Sequence, residues 1–377
     1  MRRSTKLIAL VSALLVLAGL QAKSTADSGV SIASDSVFKE IIRSHRDKPS
    51  FGIASDWHDC LMRLNDSGSK PARELCKTWT SDGYTSELVA LSMDDLLVPV
   101  IETRSNASAK NEVVVEVTGG PGGGLFYVDP NRLEDIEKFR KLGMKLNGLD
   151  RFNIYTQFLD RGYTIASVGY WGTNIRTLNV AGEMELAMDE VRSTVDFYRD
   201  SDGIDPPLIL TSLGNHLALG ALGKERLEGM QFLALVPVMD GLQHHLSRVD
   251  EEEKEPRARA DAKGSFYGNW TTFNIYKEDG GNLKFDRAQM LDMASYVPQF
   301  VDRFDYPWKA VTPASSCSRL ILGDRDPRTR EYLAANNELP RFVTILPAEH
   351  DLFVSSPYDM SLIFEEYADC LSARANP

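Results

Sequence analysis

Three side chains in this sequence have the types and the order that nucleophilic acyl transfer requires: Ser212, Asp326 and His350. A serine hydroxyl is a weak nucleophile at neutral pH. It becomes effective when an imidazole accepts its proton and a carboxylate orients that imidazole. Ser212 lies in "ILTSLGNHLALGAL", residues 209–222, which reads as a buried strand, a corner and then a helix. A nucleophile is exposed on such a corner when the residues around it read G-x-S-x-G. Here the window is Leu210-Thr211-Ser212-Leu213-Gly214, so the first glycine is missing. Asp326 follows the apolar run "RLILGD", and His350 follows "RFVTILP". Both positions lie just beyond expected strand ends, where the sites of open α/β sheets assemble.

Each residue also has a plainer reading. A serine before a helix is commonly an N-cap, although Gly214 leaves room for tight backbone crossing after the turn. Asp326 precedes Pro327 and suits a turn, and His350 suits a surface. The ordered set is more specific than any one member. Asp324 is the second candidate for the acid. Of the other histidines (His45, His58, His216, His244 and His245), His216 stands four residues past Ser212 on the same helix. It is expected to be structural, because a general base approaches from a different loop.

A tetrahedral intermediate also needs fixed N–H donors for its oxyanion. "TGGPGGG", Thr118 to Gly124, follows the apolar run "VVVEV". Glycines there let the backbone turn its N–H groups inward. The expected donors are the N–H groups of Gly119 and Gly120 and that of Leu213, the residue after the nucleophile. A phosphate cradle is the competing use of such a loop. The G-x-x-x-x-G-K-[ST] pattern is absent, and so are the acidic residue and spacing of a dinucleotide fold.

The elements that must position these residues are short apolar strands alternating with helical patterns. "YTSELVALSM" and "LLVPVIETR" are separated by Asp94-Asp95 and predict a hairpin. "FLDRGYTIASVGY" predicts a helix end, a turn at Gly162 and a buried strand, and "AGEMELAMDEVRSTVDFYRD" a helix. "FLALVPV", "RLILGD" and "RFVTILP" supply three further strands. Fully apolar strands between helices indicate a mostly parallel sheet covered on both faces. Residues 84–240 and 313–377 are expected to form this domain. Residues 241–312 are expected to be an insertion lying over the serine as a cap; they hold the charge run "DEEEKEPRARADAK" and the aromatic stretch Phe266 to Tyr276. Residues 27–83 are expected to be an N-terminal arm packed on the domain.

Residues 1–26 have the pattern of a signal peptide: Arg2, Arg3 and Lys6, then the uncharged run Leu7 to Leu20, then candidate cleavage points after Ala22 and Ala26. The apolar run falls short of the roughly 20 residues a spanning helix needs. Secretion or a periplasmic location is expected, with no stable membrane insertion after cleavage. The whole chain of 377 residues carries a net charge of −12. Loss of the three basic residues before Ala22 leaves 39 basic against 54 acidic residues, or −15. That balance argues against nucleic acid as a partner, and leaves a small-molecule or peptide substrate. Four cysteines in an exported chain suggest disulfides. Of three pairings, Cys60–Cys76 with Cys317–Cys370 joins neighbours within one region. No metal or organic cofactor is expected.

Taken together, these motifs resemble the prolyl oligopeptidase-like and proline iminopeptidase-like serine peptidases of the α/β-hydrolase superfamily. "TGGPGGG" is similar to their H-G-G-P-G, "SLGNHLAL" to their S-x-G-G-x-x-A elbow, "GDRDP" to their acid loop and "EHDLF" to their histidine loop. The resemblance covers roughly residues 84–240 and 313–370. It implies an α/β-hydrolase fold, the triad Ser212, Asp326 and His350, and an oxyanion hole around Gly119, Gly120 and Leu213. Thr118 replaces the family's His, Leu210 the first elbow glycine, Asn215 the second glycine after the serine, and Trp171 a customary Arg. Leu210 predicts a local rearrangement or a looser turn. The resemblance favours peptides or small amides over esters. A carboxylesterase or lipase-like enzyme, and an inactive binding protein of the same fold, are the alternatives.

Overall fold

A computed structural model describes residues 52–67, 72–119 (apart from 82, 94–95 and 108–111), 125–128, 148–170, 173, 182–241, 276–279, 282–285 and 307–375 (apart from 327). The signal segment 1–26, Gly120, Trp171 and most of the cap segment 241–312 lie outside the described residues.

The hairpin predicted from Asp94-Asp95 is present. It belongs to a run of antiparallel strands, β1 (Arg73–Ser81), β2 (Tyr84–Met93) and β3 (Leu96–Ser105). From β3 the chain crosses to β4 (Val113–Val117). It then passes through helix α2 (Gly148–Leu159), which follows α1 (Gly52–Ser67) in the chain, to β5 (Thr164–Val168). β5 slots between β3 and β4, antiparallel to β3 and parallel to β4. Helix α3 (Gly182–Asp202) leads to β6 (Leu208–Thr211), and helices α4 (Leu213–Leu222) and α5 (Lys224–Gly229) lead to β7 (Phe232–Leu235). A small separate hairpin, β8 (Tyr276–Asp279) with β9 (Asn282–Phe285), falls within residues 241–312. The sheet ends with β10 (Arg319–Gly323), helix α6 (Arg330–Ala335), β11 (Val343–Leu346), and helices α7 (Leu352–Ser355) and α8 (Pro357–Ala375). The nine-stranded order is β1-β2-β3-β5-β4-β6-β7-β10-β11, parallel from β5 onward.

Side chains alternate across each strand, so near-continuous apolar strands bury both faces of the sheet. On one face Val117, Leu210, Ala234 and Leu322 pack with Trp57 of α1, Val195 of α3 and Leu217 of α4. On the other Val114, Ile209, Leu233 and Ile321 meet Tyr155 and Phe158 of α2 and Phe364 and Tyr367 of α8. Burial of each Val, Leu, Ile or Phe side chain among them contributes about 1.5–3 kcal/mol. Aromatic rings knit the second face together: Tyr155 stacks on Phe126 at 4.5 Å, and Phe158 meets Phe364 edge-on at 5.6 Å.

β1, which lies within residues 27–83, forms the edge of the sheet beside β2. Its sequence, "RELCKTWTS", is largely exposed and polar, as edge strands are, and so it lacks the apolar run of a core strand. Arg73 spans the strands beneath it, pairing with Glu87 on β2 at 2.8 Å and Glu102 on β3 at 2.7 Å. The cysteines pair as Cys60–Cys76, tying α1 to β1, and as Cys317–Cys370, tying the approach to β10 to α8.

Candidate active site

Ser212, Asp326 and His350 come together at the carboxyl ends of β6, β10 and β11. Ser212 is the corner between β6 and α4, and its backbone has φ 49° and ψ −115°. That conformation costs an L-residue of order 1–3 kcal/mol and persists only where surroundings impose it. Two close approaches impose it here. Gly214 passes so near β4 that a Cβ would collide with the carbonyl oxygen of Val117 and lie 2.6 Å from that of Thr118. A Cβ on Gly119 would lie 2.5 Å from the carbonyl oxygen of Thr211 and 2.7 Å from Ser212 Cβ.

The rearrangement predicted from Leu210 is not seen, since the turn is tight without a glycine there. Leu210 points away from the corner into the sheet face, fully buried, with Val117 on one side and the small Ala234 on the other. The pattern-breaking side chain is absorbed by the core rather than by the turn.

His350 Nδ1 donates to Asp326 Oδ2 at 2.7 Å, so Nε2 carries the lone pair and accepts from Ser212 Oγ at 2.9 Å. The second oxygen of Asp326, Oδ1, accepts the backbone N–H of Arg328 at 3.0 Å. Thr329 Oγ1 closes the loop by donating to the Gly323 carbonyl at 2.6 Å. Burial of Asp326 opposes its ionisation, but His350 and Arg328 outweigh it and hold the carboxyl below its usual value. Burial, and then the charge of Arg328, push His350 down to about 4 against the pull of Asp326. The imidazole is therefore neutral at physiological pH, as a proton acceptor must be. Asp324, the second candidate acid, is half exposed and faces Arg325.

Arg328 carries no signal in the sequence beyond standing two residues after Asp326. Its guanidinium is buried against the site: Nη1 touches both ring nitrogens of His350, 2.8 Å from Nδ1, and donates to Ser212 Oγ at 3.3 Å. His216 lies behind the corner, where its Nε2 accepts the Val238 N–H at 3.2 Å. Burial, and then Arg328, push it down to about 3.

The backbone N–H of Leu213 opens α4, where the helix dipole favours negative charge. Gly119 stands directly across from Ser212, as the glycine contacts above require. Beside Gly119, Tyr170 donates to the Thr118 carbonyl at 2.7 Å, and Ser167 Oγ accepts the Phe126 N–H at 3.3 Å. Among the described residues, no group of three His, Cys, Asp or Glu side chains is placed to hold a metal ion. No described helix is long and apolar enough to cross a membrane.

The strand order, with its antiparallel lead-in, the β5-β4 exchange and the parallel run that follows, is that of the α/β-hydrolase fold. Solved structures similar to this chain include oligopeptidase B from Leishmania major, at 12% identity and a TM-score of 0.41 over 76% of this chain and 36% of that one. XC6422 from Xanthomonas campestris, an a/b serine hydrolase without lid, is similar at 11% identity and a TM-score of 0.39 over 78% and 97% of the two chains. An arylesterase is similar at 13% identity and a TM-score of 0.41 over 88% and 98%. The chain spans about a third of the length of the oligopeptidase. No protein-family model and no curated protein matches the sequence.

Proposed function

We propose that the protein is an exported serine hydrolase that cleaves an amide or ester bond through an acyl-enzyme on Ser212. The observation that carries this reading is the continuous relay from Asp326 through His350 to Ser212, with bonds of 2.7 and 2.9 Å, at a corner held with φ 49°. Ser212 Oγ attacks the substrate carbonyl carbon while its proton passes to His350 Nε2. The carbonyl π electrons move to oxygen, and the N–H groups of Leu213 and of the Gly119–Gly120 loop receive that oxyanion. Collapse of the intermediate expels the amine or alcohol, which takes the proton from His350. Water then repeats the sequence to release the acid. Asp326 accepts the Nδ1–H of His350 throughout, in the neutral ring and in the imidazolium. Two disulfides fit an oxidising, extracytoplasmic location.

A fluorophosphonate probe tests the reading: it is expected to label Ser212 in the wild-type protein and to leave Ser212→Ala unlabelled. Absence of labelling in both the wild type and Arg328→Met ends the proposal. Turnover of aminoacyl p-nitroanilides against p-nitrophenyl esters separates peptidase from esterase, and the motif resemblance favours the former. One contact favours a second, non-catalytic reading. Arg328 Nη1 competes with the Ser212 hydroxyl for the Nε2 lone pair of His350, as in a binding protein whose base is permanently occupied. Labelling that appears only in Arg328→Met identifies a hydrolase restrained by its arginine, and absence that persists in the variant supports a binding protein.

A further inference from the structure

Ser212 and Val236, at φ 49° and 46°, are the two non-glycine residues with positive φ among the described residues. For a β-branched residue such as Val236 this is a genuine outlier. Both meet at one peptide group. The carbonyl of Leu235 accepts the Ser212 N–H at 2.9 Å, and on the other side of the same peptide the Val236 N–H donates to Ile321 at 2.8 Å. The side chain of Asn215, fully buried on the first turn of α4, joins this group to the corner. Its Nδ2 donates to the Leu235 carbonyl at 2.8 Å and to the Ser212 carbonyl at 3.0 Å. Both partners are carbonyls and can only accept, so the amide nitrogen must be the atom facing them.

The Ser212 carbonyl and the Leu213 N–H belong to a single planar trans peptide and point in opposite directions. Whatever fixes the carbonyl therefore fixes the aim of the N–H. We infer that Asn215 is a positioning residue: by clamping the Ser212 and Leu235 carbonyls to each other it aims the Leu213 N–H at the developing oxyanion and holds the corner in its strained conformation. The inference rests on the reading of Ser212 as nucleophile. Loss of the amide leaves each carbonyl a backbone partner, because Ser212 still donates to Leu235 and the Asn215 N–H, at 3.1 Å, still donates to Ser212. What disappears is the tie between the two, so the effect belongs to the transition state more than to folding.

The test uses Asn215→Ala and Asn215→Ser in the full chain. It measures kcat and KM for p-nitrophenyl acetate, the inhibition constant of phenylboronic acid, whose adduct on Ser212 places an oxygen in the oxyanion position, and the melting temperature. Asn215→Ala is expected to lower kcat about 10- to 100-fold, the scale of a misplaced reacting group or a weakened oxyanion donor. Boronate affinity should fall in parallel, with KM nearly constant. In Asn215→Ser the hydroxyl reaches back to the Ser212 carbonyl but not to Leu235, and the loss should be intermediate. It carries the comparison if the alanine variant does not fold. Unchanged kcat and boronate affinity in a folded variant, beside a wild type that labels with fluorophosphonate, overturns the role of Asn215 alone. A wild type and an Arg328→Met variant that neither label nor bind boronate overturn the nucleophile and this inference together.

Discussion

Gly119 lies against Ser212 so closely that a single methyl group on its Cα would sit 2.7 Å from Ser212 Cβ. Gly119 and the corner are thus packed at backbone contact. Gly119→Ala is expected to displace the loop from the corner and to lower kcat by on the order of 100-fold, with a smaller loss of stability than Gly214→Ala. The nearest obstruction is a strand carbonyl oxygen in both cases, that of Thr211 at 2.5 Å for Gly119 and that of Val117, closer still, for Gly214. Overpacking there is expected to cost about 1–3 kcal/mol or more. Paired denaturant melts and kinetics on the two variants check the contrast.

Asp326→Asn preserves the shape of the acid but presents an amide to His350 Nδ1, which permits the wrong tautomer. The expected result is a loss of kcat on the order of 10,000-fold with little change in melting temperature. Asp324→Asn, at the exposed neighbour, is expected to be silent. Equal effects of the two would reassign the acid.

The acid limb of the rate profile should report His350. Only the neutral imidazole accepts the serine proton, so activity is retained above its pKa of about 4 and falls below it. Removal of a neighbouring positive charge favours the protonated ring. Arg328→Met should therefore move the limb upward, toward the ordinary 6.5 but short of it, because burial remains. A limb that stays in place would show that burial alone sets the value.

His216 and His350 are both depressed in the folded chain, to about 3 and about 4. The unfolded chain takes up these protons as pH falls below 6.5, while the folded chain resists. Stability is thus fully present above 6.5 and lost progressively as pH drops toward the folded values. Melting temperatures between pH 7 and pH 4 should fall accordingly, and less steeply in His216→Asn, whose side chain does not titrate.

The bond Cys317–Cys370 closes 53 residues and Cys60–Cys76 closes 16. Chain-entropy arguments assign them about 4 and about 3 kcal/mol. The double variant Cys317→Ala/Cys370→Ala should therefore lose more stability in denaturant melts than Cys60→Ala/Cys76→Ala.

The parallel sheet and the Ser–Asp–His order were legible because they leave one-dimensional traces: uninterrupted apolar runs, each ending in a residue capable of chemistry. β1 left no such trace. An edge strand alternates half-exposed polar residues, and it becomes part of the sheet only through its pairing with β2. Arg328 was equally silent, since an arginine in a turn looks like surface until the fold directs it inward to His350. Leu210 misled for a related reason. The pattern marks a position where side chains are usually excluded, but whether one fits depends on its lateral neighbours, and Ala234 is supplied by a different strand. Asn215 read as a departure from S-x-G-G, although its amide makes two bonds that no glycine offers.

The hydrogen bond from Ser212 to His350 joins residues 138 positions apart, and it requires β6, β7, β10 and β11 to be paired in sequence across the sheet. Local helices form within microseconds, whereas contacts of this separation must wait for the loops between them to close. In a refolding experiment, reactivity toward a serine-directed probe is thus a clock for the last act of assembly: it should return after the helical circular dichroism signal, with the slowest phase of sheet formation.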